Sequence, residues 1–107
     1  MESDSQIRVN IKQTYTAVVY RAKEMFAQQE TLSLHALGEA TSTAIKASEM
    51  LVSLGYASME KFETLTINEP DRQGVPRRRY KVILELKKTP DFDRINEEFK
   101  SSKATPK

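Results

Sequence analysis

"LSLHALGEATSTAIKASEMLVSLGYA", residues 32–57, decides how this chain is organised. Leu32, Leu34 and Ala36 alternate with Ser33 and His35, the period of a half-buried strand. At Gly38 the rhythm changes. Ala40, Ala44, Ala47, Leu51 and Leu54 then recur at helical spacing, and Gly55 stands where a helix takes its terminating glycine. The stretch reads as a strand, a small-residue helix and the approach to another strand.

Upstream, Ile7, Val9 and Ile11 alternate with Arg8, Asn10 and Lys12, predicting a first strand. Thr14 is placed to cap a helix in which Val18, Ala22 and Met25 share a face, running to about Gln29. Downstream, residues 58–68 read as a long strand whose apolar positions change parity between Phe62 and Leu65, predicting a bulge or a strong twist there. Glu69 to Arg77 is a turn region broken by Pro70, Gly74 and Pro76, and Tyr80, Val82, Leu84 and Leu86 form one face of a fourth strand. The order β-α-β-α-β-β predicts an α+β two-layer sandwich. It has a mixed four-stranded sheet, both helices on one face and an extended hairpin of the last two strands.

Beyond Lys88 the character changes. Thr89-Pro90-Asp91 has a capping hydroxyl, a proline suited to the first helical position and an acid for the positive end of the dipole. Phe92, Ile95 and Phe99 would line one side of the short helix that follows. The expected division is a polar N-terminal tail (1–5), one domain (6–88), a C-terminal helix (89–100) and a disordered tail (101–107).

With 107 residues, 38% hydrophobic and 30% charged, the chain suits one polar domain. Having no cysteine, it has neither disulfides nor thiolate sites. The opening Met1-Glu2-Ser3-Asp4-Ser5 lacks the charge and apolarity of a signal peptide, and no apolar run approaches the roughly 20 residues of a membrane span. No membrane partner is expected. A single histidine cannot build a metal cluster, and no phosphate-loop, dinucleotide or nucleophile-elbow motif is present. No catalytic residue, metal or cofactor is therefore expected. The one enzymatic idea with a chemical basis is a lysine amine condensing with the aldehyde of an abasic site in DNA.

The net charge of +2 conceals a segregation. Residues 30–70 carry six acids and two bases, whereas 71–88 carry seven bases against Asp71 and Glu85. Three of the bases, Arg77, Arg78 and Arg79, are consecutive at the foot of the turn. Such a concentration suits a polyanion site, or else a hairpin tip kept in water by its charge. A two-stranded ribbon can follow a DNA groove, and arginines at its end can reach phosphates or a narrow minor groove. Arg72, Arg77, Arg78 and Arg79 are the leading candidates, joined by Arg8, Lys12 and Lys81, with Arg21 and Lys23 on the first helix. No aromatic lies among the four arginines, so phosphate contact is favoured over base stacking. The small residues of the second helix either pack on their own sheet or let a partner approach closely.

With this pattern between two strands, the chain resembles the Alba family of small nucleic-acid-binding dimers. The likeness rests on A-L-G-x-A at Ala36–Ala40 and A-x-x-A-x-E at Ala44–Glu49, and covers roughly residues 6–88. It implies DNA and RNA as partners and a homodimer or a heterodimer with a related chain. Paired arms would extend along the nucleic acid, with chromatin, the nucleus and the cytoplasm as locations. It also implies dimerisation through the second helix and last strands, making Ala44, Ala47, Leu51 and Leu84 interface candidates, with Tyr56 near the position used between dimers. The family's basic pair after the first strand falls on Lys12 and Gln13, of which only Lys12 is basic. Lys12 and Lys23 are the acetylation candidates, with a lysine deacetylase as an implied partner. Leu37 and Glu39 flank Gly38 where some relatives carry arginines, shifting the burden of charge to the arm. The alternatives are a protein–protein adaptor in a ribonuclease P- or MRP-like ribonucleoprotein, and the abasic-site enzyme.

Overall fold

The computed structural model describes residues 6–104, and the expected N-terminal tail (1–5) lies outside that range. The order is β1 (Gln6–Val9), α1 (Tyr15–Phe26), β2 (Thr31–Leu37), α2 (Ala40–Ser53), β3 (Ala57–Pro70), β4 (Pro76–Lys88) and α3 (Phe92–Ala104). The four strands form one sheet in the order β1-β2-β4-β3. β1 runs parallel to β2, and β4 pairs antiparallel with both β2 and β3. This is the expected mixed α+β sandwich.

β1 is shorter than its alternation predicts. Asn10 closes it: its side-chain oxygen accepts from the Lys12 amide at 3.0 Å, and its own amide donates to Gln13 Oε1 at 2.9 Å. These local bonds turn the chain out of the sheet, leaving Ile11 66% exposed. Thr14 then caps α1 as expected, accepting from the Ala17 amide at 3.2 Å.

α2 buries Ala40, Ala44, Ala47 and Leu51. Leu54, expected on that face, is instead the exposed C-cap. Gly55 has φ +90°, its amide reaches the Val52 carbonyl, and the Tyr56 amide reaches that of Leu51. This pair of bonds is a Schellman closure. A side chain at Gly55 is doubly unwelcome, because a Cβ there would lie 2.8 Å from Ile95 Cδ1 of α3.

Ile7 and Val9 of β1, the even residues of β2 and Val82, Leu84 and Leu86 of β4 supply the sheet's side of the core. Val18, Ala22 and Phe26 supply that of α1. Phe92, at the start of α3, packs into the same core 5.8 Å from the Phe26 ring and edge-on to Tyr56 at 5.6 Å. Burying each of these rings is worth about 2–3 kcal/mol. α3 is therefore seated on the domain rather than trailing from it. Its apolar side is the predicted one, but Thr89 does not cap it. The Thr89 hydroxyl donates to the Gly55 carbonyl at 2.6 Å and the helix opens at Phe92. The helix runs to Ala104, four residues into the tail expected over 101–107, of which residues 105–107 lie outside the described range.

β3 does contain a bulge, but at Glu60, where pairing slips between Met59 and Lys61. The parity change at Phe62 and Leu65 needs no second irregularity, because both side chains are exposed and register is not set by their burial.

Candidate nucleic-acid interface

β2 last pairs with β4 at Leu37 and Lys81. Past that point β3 and β4 pair only with each other, from Thr66–Tyr80 out to Pro70–Pro76. Five residue pairs make an arm about 17 Å long before its turn. Without a helix or third strand beside it, this ribbon accounts for extents of 54 × 30 × 24 Å.

Asp71 builds the turn. Its Oδ1 accepts from the amides of Gln73 and Val75, both at 2.9 Å, and its Oδ2 accepts from Arg77 Nε at 3.1 Å. Those bonds, that from Val75 foremost, hold its carboxyl below the ordinary 3.8. The four arginines are all exposed but spread along the arm, with Arg72 in the turn, Arg77 beside it and Arg79 near the root against Gly38. Arg77 pairs with Asp71, and Arg79 lies 3.9 Å from Glu69. Both are surface pairs, which water and salt weaken and a phosphate can replace. Among the described residues Arg72 and Arg78 have no acidic partner. Strand alternation sets Arg77, Arg79 and Lys81 on one face and Arg78 and Tyr80 on the other.

The remaining candidates are scattered. Arg8 and Lys81 flank His35 on the sheet face opposite the helices, and Ser33 Oγ lies 3.1 Å from His35 Nε2. Burial, then the charges of Lys81 and Arg8, hold His35 below its ordinary 6.5, with Glu85 opposing. Lys12 is exposed in the turn after β1. Arg21 is exposed on α1, lining a groove with Gln6, Glu24 and Gln28 that no arm residue shares.

Lys23 is corrected outright. Only 8% exposed, its ammonium lies 3.7 Å from the Phe99 ring centre, 4.7 Å from Tyr56 and 5.7 Å from Tyr20. It holds α3 down and is not presented to a phosphate or a modifying enzyme. The interface candidates Ala44, Ala47, Leu51, Tyr56 and Leu84 are each at most 3% exposed and belong to the core of their own chain, and Leu84 also forms part of the wall of an open apolar groove. The apolar surface left open beside them is Ile45 and Val52 of α2 with Met59 and Phe62 of β3, lining one groove.

Tyr80 was missed. Predicted for the buried face of β4, it is 60% exposed beside Arg78 and Arg79. Adjacency to the arginine run was the available signal; strand alternation concealed it.

No protein-family model matches the chain. An uncharacterized Arabidopsis thaliana protein, At2g34160, is 31% identical over 100 residues, covering 89% of this chain and 77% of that one. Among solved structures, ALBA1 from Trypanosoma brucei superposes with a TM-score of 0.77 at 21% identity, covering 92% of this chain and 82% of the other. Alba from Thermoplasma volcanium gives 0.69 at 17% identity, over 78% and 99% respectively. The chain belongs to one family with the Arabidopsis protein, and its fold is the Alba fold.

Proposed function

We propose that the chain is a dimeric nucleic-acid-binding protein that holds DNA and RNA largely without regard to sequence. The observation that carries this reading is the arm, a ribbon bearing four arginines past the edge of the sheet. A strand buried on one side has no structural need for this charge, and arginine forks match phosphate geometry. The Alba fold supports the same reading.

Dimerisation uses the open apolar groove of Ile45, Val52, Met59 and Phe62, which in this reading is covered by a second copy or a close relative. Two copies would present two arms to one nucleic acid. Lys12, exposed near the body's surface, is the remaining acetylation candidate. Its neutralisation lowers affinity, a deacetylase restores it, and chromatin and cytoplasmic RNA are the settings in which this operates.

The test is the dependence of affinity on salt. Changing Arg77, Arg78 and Arg79 to glutamine should flatten log affinity against log salt on duplex DNA, by about 0.9 for each phosphate no longer neutralised. An unchanged slope in the triple variant removes the arm from the interface. The adaptor alternative gives no binding to duplex or single strand at moderate salt.

A further inference from the structure

Where the arm joins the body, Ile11, Gly38, Glu39, Arg78, Arg79 and Tyr80 line a groove of about 430 Å³, within the roughly 300–1,000 Å³ typical of small-ligand sites. Two large apolar side chains are left open in it, Tyr80 at 60% and Ile11 at 66%. Both are fixed by backbone bonds. The Gly38 amide donates to the Tyr80 carbonyl at 2.7 Å, and the Asn10 turn sets the path of the chain at Ile11. Gly38, at φ +61°, lets the Arg79 guanidinium lie over the backbone, since a Cβ there would stand 3.1 Å from Arg79 Nη2.

We propose that this groove holds one unpaired nucleotide of a single-stranded nucleic acid, its base stacked on Tyr80 and its phosphates met by Arg78 and Arg79. The inference rests on the nucleic-acid-binding reading and deepens it by naming the form of nucleic acid this site selects. A bare phosphate backbone would leave the tyrosine and isoleucine without a function. A base fits them, because every base has a π-face and an apolar edge. Glu39 sets the orientation. A carboxylate at the rim repels phosphate but accepts an N–H from a base edge, so the base lies toward Glu39 and the backbone toward the arginines. A duplex cannot enter in this way, since each of its bases is already stacked on both faces. The arginines bind either form of nucleic acid; Tyr80 distinguishes them.

The test compares Tyr80→Ala and Tyr80→Phe with the unaltered full-length chain. The probes are an oligoadenylate RNA and a DNA duplex of equal length at one salt concentration. Tyr80 is 60% exposed, so both variants should keep the melting temperature of the parent. Tyr80→Ala should weaken oligoadenylate binding about tenfold and leave duplex binding within twofold, while Tyr80→Phe, which keeps the ring, should match the parent on both. Equal losses on the two probes, or no loss on oligoadenylate, overturn the groove and leave the arm's role standing. If the unaltered chain binds neither probe, both readings fall together.

Discussion

Asp71 shows how much one side chain governs at the arm's tip. It closes the turn by accepting two amides and restrains Arg77 through its other oxygen. Its carboxyl titrates below 3.8 in the folded chain, so its bonds stabilise the turn fully above the unfolded value and are lost as pH falls through the folded one. A pH titration followed by the amide resonances of Gln73 and Val75 should therefore show a midpoint under 3.8, and in Asp71→Asn that transition should vanish. A midpoint at or above 3.8 would contradict the bonding described. The breakers Pro70, Gly74 and Pro76 made a turn legible here, but which acid would build it was not, since Glu69 and Asp71 look alike in sequence. Lys23 was hidden for a related reason. Its surroundings come from residues near positions 20, 56 and 99, and only the tertiary fold collects them.

At the scale of elements, periodicity was informative wherever one face is buried. The alternation of β2, the small-residue stripe of α2 and the apolar side of α3 all reflect contact with one core. It misled where a local bond or solvent exposure intervened. Asn10 ends β1 before Ile11, and Phe62 and Leu65 of β3 and Tyr80 at the root of the arm are exposed, with no burial constraint on their parity. α3 owes its place to the anchored Phe92 at one end and to the Lys23–Phe99 contact further along. A largely desolvated cation over aromatic rings is worth about 2 kcal/mol. Lys23→Ala should lower the unfolding free energy by about that amount and speed amide hydrogen exchange from Ile95 onward, while exchange at Phe92 changes less. Lys23→Arg, which keeps the cation over the rings, should recover most of the protection. If Lys23→Ala leaves exchange along α3 unaltered, Phe92 and Ile95 hold the helix by themselves.

For the molecule as a whole, the question is what covers the open groove beside α2. Phe62 is 56% exposed, Ile45 42%, Met59 40% and Val52 39%, and all four line one groove. Scattered apolar residues on a surface need no explanation, but a contiguous set marks an interface. The small residues of α2 that the sequence offers as a partner surface are buried against the chain's own sheet, because small residues serve a close approach to that sheet as well as to a partner. The outward positions one residue along, Ile45 and Val52, are the ones a partner can reach. A charge at Phe62 should split the proposed dimer without disturbing the core, since Phe62 is more than half exposed in the single chain. Light scattering on Phe62→Glu should then give the 12.2 kDa of one chain, where the parent gives twice that mass. Affinity should fall with it, and by more than the factor of two expected from counting sites. Two linked arms convert the second binding event into an intramolecular one, and a lone arm forgoes that effective concentration. The slope of log affinity against log salt should drop to about half, as each complex then displaces the ions of one arm. A parent chain that is already monomeric at micromolar concentration, or a Phe62→Glu monomer with undiminished affinity and slope, would show that each arm works alone.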